Sequence, residues 1–308
     1  MRIAAMAAGA VGGYFGARMA HAGHDVFFIA RGAHLEAIRK NGLKIESVHG
    51  DLHLAKPNVT DDPAKVGPVD IVLFAVKLWD TEKAAEQALP LLGPQTRLIT
   101  FQNGVDSAER IAPVIGADRT IGGVAYIATV IGAPGVIKQT SAFAKLRFGR
   151  ADKKPDAPLQ AFVDAGKAAK LDIDLSKDIQ VERWEKFAFL TAMSGSTAAL
   201  RAPIGVIRSD PETLAFFRAL MEEVFAVAKA KGVKLERAYF DERMAFIENK
   251  VEPGMKASMA HDLERGNRLE LDWLAGKVRA LGRELGVPTP ANDTVYTVLK
   301  LSRMGKPQ

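Results

Sequence analysis

The opening stretch of the chain limits its fold more than any other. Arg2-Ile-Ala-Ala-Met6 is a short apolar run, and Ala7-Ala8-Gly9-Ala10-Val11-Gly12 comes next with nothing but small residues and one valine. A periodic apolar stretch over 11–22 then ends at Gly23, and Asp25-Val-Phe-Phe-Ile-Ala30 is apolar again. Strand, tight turn, helix and strand in so short a space make a βαβ unit, whose two strands lie parallel in one sheet. The alternation continues with a helix over 32–41, a strand over 71–76, a helix over 81–89 and a strand over 97–101. The unbroken apolar run at 71–76 suits a strand covered on both faces. Beyond about residue 120 the strand-like stretches carry more glycine and proline (Gly132, Pro134, Gly135, Gly149), which predicts antiparallel strands extending the same sheet. The pattern is that of a doubly wound α/β domain of Rossmann type.

The character changes near 175–180. From Glu182 onward helical periodicity dominates, with runs over 182–200, 211–231, 235–250, 255–285 and 289–304, separated at Gly205, Gly232, Pro253-Gly254 and Pro288-Thr-Pro290. The expected organisation is an α/β domain over 1–177 and an all-α domain over 178–308.

The turn at Ala7–Gly12 stands directly after a strand and opens a helix, which is where the dinucleotide fingerprint G-x-G-x-x-G belongs. Gly9 lets backbone approach a pyrophosphate, Gly12 allows close packing of helix on strand, and the N–H groups of Ala8, Ala10 and Val11 point toward phosphate at a positive helix end. Ala7 stands where the pattern has its first glycine, so the loop departs from the consensus by one methyl group. The end of the second strand reads the ribose. An acidic residue there selects NAD, whereas an arginine accommodates the 2′-phosphate of NADP. This chain has Ala30-Arg31 and no acid, which predicts NADP(H).

Other classes of function are disfavoured. The chain of 308 residues has no cysteine, which removes disulfide and thiolate chemistry and fits a reducing compartment such as the cytoplasm. Its N-terminus lacks the pattern of a secretory signal, and no apolar run reaches the roughly 20 residues of a membrane helix. The net charge is +6, yet lysine and arginine are spread out and aromatics make up only 7%, unlike a nucleic-acid surface. A modest positive field instead favours anionic small molecules. The six histidines form no metal-binding spacing, and Met193-Ser194-Gly195-Ser196 is not a nucleophile elbow.

Several short segments, in this order and at these separations, resemble the ketopantoate reductase (2-dehydropantoate 2-reductase) family. They are Gly9-Ala-Val-Gly-Gly-Tyr-Phe-Gly16, Ala30-Arg31-Gly32, Val76-Lys77, Gln102-Asn103-Gly104, Trp184-Glu185-Lys186-Phe187, Ser258-Met259, Glu270-Leu-Asp272 and Val287-Pro-Thr-Pro290. The resemblance covers essentially the whole chain. It implies a helical domain like the C-terminal domain of 6-phosphogluconate dehydrogenase. It also implies NADPH-dependent reduction of ketopantoate to pantoate, a step toward pantothenate and coenzyme A. By this resemblance Lys186 is the catalytic acid and Glu270 a carboxylate near the nicotinamide ribose, placed either to orient Lys186 or to hold the ribose. Lys77, Asn103 and Ala128 contact the cofactor, and Asn103 and Ser258 the substrate. A positioned ammonium suits the chemistry, because negative charge develops on the carbonyl oxygen and a proton must be delivered there. Members of the family occur alone and paired, so a homodimer stays open.

Three positions in the helical part depart from the family. Better-known members carry asparagines four and eight residues after the catalytic lysine, where this chain has Leu190 and Ser194. Met255 also replaces a common asparagine. Either Leu190 lines the substrate site and favours a more apolar 2-oxo acid, or it is a core leucine. Ser194, Ser196 or Thr197 is then available for the polar role. A different class, a non-catalytic NADP-binding sensor, predicts cofactor binding without turnover.

Overall fold

The computed structural model describes residues 1–306, so the last two residues of the expected helical domain lie outside the described residues. The chain divides into two compact units, one ending at Ile179 and the other beginning at Gln180.

The first unit is built on one ten-stranded sheet. Its elements are β1 (Arg2–Met6), α1 (Ala10–His21), β2 (Asp25–Ile29), α2 (Gly32–Asn41), β3 (Leu43–Glu46), β4 (Leu52–Leu54), β5 (Asn58–Thr60), β6 (Val69–Phe74), α3 (Thr81–Gln87), β7 (Leu92–Thr100), α4 (Ser107–Ile115), β8 (Thr120–Ala133), β9 (Val136–Gly149), α5 (Ala157–Ala168) and β10 (Asp172–Leu175). The spatial order is β4-β3-β9-β8-β7-β6-β1-β2-β5, with β10 on β9. From β8 through β7, β6, β1 and β2 to β5 every pairing is parallel, as the βαβ alternation requires. The glycine-containing strands beyond residue 120 form the antiparallel pair β8–β9. Alternate residues of β1 enter two separate cores, Ile3 and Ala5 in one, Ala4 and Met6 in the other. A strand with both faces covered has no polar side to alternate with, hence its continuous apolar run.

Several elements go beyond the sequence expectation. β3, β4, β5 and β10 are three- or four-residue strands at the margins of the sheet. Their pairing stabilises them, and their own sequences carry too few residues to show a period. α5 falls inside the stretch where the sequence predicts strands. It has a local signal nonetheless, since Asp156 caps it by accepting from the Leu159 amide at 3.2 Å, and Leu159, Phe162, Val163 and Gly166 form one buried face.

The second unit is helical: α6 (Ile179–Ala199), α7 (Ile204–Ser209), α8 (Pro211–Ala230), α9 (Arg237–Asn249), α10 (Ser258–Glu264), α11 (Ala275–Leu285) and α12 (Pro290–Leu299). The run expected over 255–285 is not one helix. It breaks at Gly266, whose φ of +69° no helix admits, and continues through a 3₁₀ turn at Leu271–Trp273 before α11. Likewise α12 stops at Leu299 and gives way to a 3₁₀ turn. The ends of the other helices obey local chemistry. Asp210 accepts the Thr213 amide at 2.8 Å to start α8 at Pro211, and Gly286 takes the left-handed conformation that ends α11.

Candidate active-site elements

The parallel register gathers the loops of the first unit at one edge. Met6 pairs with Ile29 and with Phe74, and Phe74 pairs with Thr100, so β1, β2, β6 and β7 end side by side. The loops leaving these strands therefore meet one another: Ala7–Gly9, Ala30-Arg31, Ala75–Lys77 and Phe101–Asn103. The chain leaves β1 for β2 on one side and returns to β6 on the other, which makes this edge the switch point where ligands of open α/β sheets bind. Backbone bonds tie the loops down, Ala8 N–H to the Ile29 carbonyl and Ala75 N–H to the Met6 carbonyl, both at 2.7 Å.

Three glycines of this stretch have different surroundings. A Cβ on Gly12 would lie 2.3 Å from the Ala7 carbonyl oxygen, and one on Gly16 would lie 2.9 Å from the Phe28 ring. Both positions need glycine for close packing. A Cβ on Gly9 would meet nothing within 4 Å, and Gly9 caps α1 in an extended conformation that any residue adopts. Gly9 therefore borders open space directly before Ala10 and Val11, in the first turn of α1, where the helix has amides without intrahelical acceptors. A side chain at position 9 would project into that space, the cradle in front of the free amides.

Around the cradle, Arg31 is exposed, stands as N-cap of α2 and donates from Nη2 to Gln87 Oε1 on α3 at 2.5 Å. Lys77 is exposed, with its ammonium 5.5 Å from the centre of the Trp79 ring. Asn103 is half-buried in the turn completed by Gly104 at φ +86°. The buried Gln102 locks that turn to its neighbour, donating from Nε2 to the Val76 carbonyl at 3.0 Å and to Thr81 Oγ1 at 2.9 Å, and accepting from Thr100 Oγ1 at 3.1 Å. Ala128 lies on β8, well beyond the point where Gly122 pairs with Thr100, and its amide donates to Ser141 Oγ at 2.9 Å. Sequence reasoning misses His34, and it quotes Gln102 only as part of a motif, without the bonds it makes. Neither residue type carries a signal of its own before the loops it joins are known.

The helical unit carries the other group of residues. Lys186 is half-buried on α6, and burial pulls its ammonium down to about 8, with the charge of Glu270 acting in the opposite direction. Glu270 itself is buried, just before the 3₁₀ turn at Leu271–Trp273. Leu190 and Ser194 stand four and eight residues after Lys186 and so share its side of the helix. Leu190 is half-exposed, while Ser194 is wholly buried. Among the described residues the hydroxyls of Thr191 and Ser194 have no hydrogen-bond partner, unlike Ser196 and Thr197, which donate back to the carbonyls of Ala192 at 2.7 Å and Met193 at 2.6 Å. Thr197 Oγ1 also accepts the Ala257 amide at 3.3 Å, which brings the residue before the exposed Ser258 onto α6. Beside Lys186, Glu185 is raised to about 7 by burial and by neighbouring carboxylates, led by Glu182. Among the described residues no three histidine or acidic side chains assemble as a metal site, and no helix is long and apolar enough to cross a membrane.

A Rossmann-like α/β unit with a glycine cradle at its switch point, followed by an all-α unit with a half-buried lysine, defines a class of two-part oxidoreductases. Residues 3–153 match the family described as Ketopantoate reductase PanE/ApbA, and residues 178–303 match its C-terminal domain. The chain belongs to the ketopantoate reductase family. It is 33% identical to a 2-dehydropantoate 2-reductase of Mesorhizobium japonicum, over 97% of each chain. Among solved structures it resembles a PanE/ApbA family ketopantoate reductase of Ralstonia eutropha, with 32% identity, 98% of both chains covered and a TM-score of 0.90. It also resembles a 2-dehydropantoate 2-reductase of Geobacter metallireducens, with 30% identity, 98% of this chain and 100% of that chain covered, and a TM-score of 0.91.

Proposed function

We propose that this chain reduces the C2 carbonyl of a 2-oxo acid with NADPH, and that ketopantoate is the substrate and pantoate the product, a step toward pantothenate. The observation that carries this reading is the lysine of α6: a partly desolvated ammonium held down to about 8, with a buried carboxylate opposing the shift. A surface lysine has no such environment.

The cradle fits a dinucleotide, because Gly9 faces open space and the adjoining helix end favours negative charge. Ala8, Gly9, Ala10, Val11 and Gly12 would hold the diphosphate, Ala7 shaping the turn, and Arg31 the 2′-phosphate. Lys77, Asn103, Ala128 and Glu270 would complete the cofactor contacts. NADPH, when bound, supplies the hydride that adds to C2. The chain's own part is electrostatic and protic. The Lys186 ammonium stabilises the negative charge on the carbonyl oxygen and gives it a proton from Nζ. Glu270 keeps Lys186 protonated more fully than burial alone would allow. Asn103 and Ser258 would bind the substrate's polar groups, with Leu190 and Ser194 bordering it.

A second reading has an observation in its favour. Leu190 is half-exposed on the Lys186 side of α6 rather than packed away. An apolar contact there favours a 2-oxo acid with an apolar side chain over one with a hydroxyl. The deciding experiment monitors NADPH oxidation by the purified protein over ketopantoate and a series of branched and aromatic 2-oxo acids. Turnover of ketopantoate with the highest kcat/KM supports the first reading, a preference for apolar acids the second. Cofactor binding with no turnover of any acid leaves a non-catalytic NADP-binding protein.

A further inference from the structure

His34 stands near the start of α2, one helix away from the glycine loop, yet its ring joins that loop to the far hairpin of the sheet. The Gly135 amide, in the β8–β9 turn, donates to His34 Nδ1 at 3.0 Å. A backbone N–H only donates, so Nδ1 is the unprotonated nitrogen. The proton of the neutral ring is then on Nε2, which donates to the Ala8 carbonyl at 2.9 Å. Burial holds the ring's pKa below the ordinary histidine value, which keeps this neutral form in place near pH 7. Ala8 is thus gripped at both ends, its N–H by Ile29 at the end of β2 and its C=O by His34.

Peptide geometry carries this grip to Gly9. The Ala8–Gly9 peptide is trans and planar, so its C=O and N–H point in opposite directions. Holding the Ala8 oxygen toward His34 therefore aims the Gly9 N–H the other way. Gly9 is the residue that borders open space, whereas Gly13 packs close to the Ala8 peptide, where a Cβ would lie 3.1 Å from the same Ala8 oxygen. The loop also lacks the first fingerprint glycine, having Ala7 instead.

We infer that His34 is a positioning residue for the nucleotide loop: its Nε2–H fixes the Ala8–Gly9 peptide so that the Gly9 amide is presented to the diphosphate of a dinucleotide. The inference rests on the reading of this loop as the dinucleotide site.

The test uses the full-length protein titrated separately with NADPH and with NADH, monitored by nicotinamide fluorescence, alongside steady-state kinetics and thermal melting. His34→Ala raises Kd for both cofactors by the same factor, about tenfold, the weight of one well-placed hydrogen bond. An equal factor is required because the diphosphate is common to both, whereas an effect transmitted through Arg31 would fall on NADPH alone. The rate at saturating cofactor is largely kept, so KM moves more than kcat. His34→Gln, which offers a side-chain N–H and a carbonyl oxygen, recovers most of the affinity. The inference is overturned if His34→Ala binds both cofactors as the parent does, or if the loss is confined to NADPH. It is equally overturned if His34→Gln binds as weakly as His34→Ala. If the parent protein binds neither cofactor, it is the dinucleotide reading of the loop that fails, and the role of His34 falls with it.

Discussion

A lysine on a helix is ordinarily solvated and protonated far above neutral pH, and Lys186 departs from both habits. With its pKa at about 8 the protonated, proton-donating form falls away as pH rises through that value. Rate profiles of kcat/KM should then be flat below pH 8 and decline with a one-proton slope above it. Glu270→Gln removes the charge that raises the Lys186 pKa, so the decline should begin at lower pH. A profile that stays level to pH 10 would show that the proton comes from another group. Lys186→Ala should lower kcat by roughly 10²–10⁴-fold, while equilibrium titration finds NADPH affinity nearly unchanged. Arg31→Ala should weaken NADPH by roughly tenfold or more and leave NADH untouched, as measured by parallel titrations. Lys186 and Arg31 are legible in the sequence because each has a motif around it. His34 is not, because the groups it bonds lie 26 and 101 residues along the chain, and the motif that contains Gln102 gives no sign of the Val76 and Thr81 groups it joins.

Elements are held by a few interactions whose loss has a calculable scale. The carboxylate of Glu223 on α8 accepts from the amides of Ala291 at 2.6 Å and Asn292 at 2.9 Å, and from Asn292 Nδ2 at 2.7 Å. It thereby caps α12 from a different helix, in a setting where water reaches none of the donors easily. Glu223→Ala should cost roughly 2–4 kcal/mol, because several buried donors are left unpaired, and a shift of the urea midpoint measures it. A control at the half-buried Glu222, whose carboxylate forms a surface ion pair with Arg237, should move the midpoint little. On α1, Gly12→Ala would drive a methyl group into the Ala7 carbonyl oxygen, and the loop must shift to admit it. The expected outcome is lost cofactor affinity with the helical unit still folded, read by titration and by circular dichroism. The helix boundaries show how far local sequence reaches. Asp210-Pro211 and Gly286 mark theirs by their own chemistry, whereas the cap on α12 comes from a residue 68 positions away.

At the scale of the molecule the net charge of +6 acts on anionic ligands before any contact forms. Raising ionic strength should lower kcat/KM for a 2-oxo acid more than kcat, since screening weakens steering and leaves bound geometry alone. The sequence by itself determined the parallel sheet, the glycine turn at its edge and the succession of an α/β unit by helices. All three are written in local periodicity and in residue types that the backbone demands. It also pointed to Lys186, Glu270, Asn103 and Arg31 as site residues, through motifs that survive as short strings. Only the tertiary structure decided the placement of the short margin strands, the break in the 255–285 run, and the bonds that His34, Gln102 and Glu223 make. Those features depend on which distant groups arrive beside them, and a periodic pattern carries no information about contacts between residues far apart in the chain.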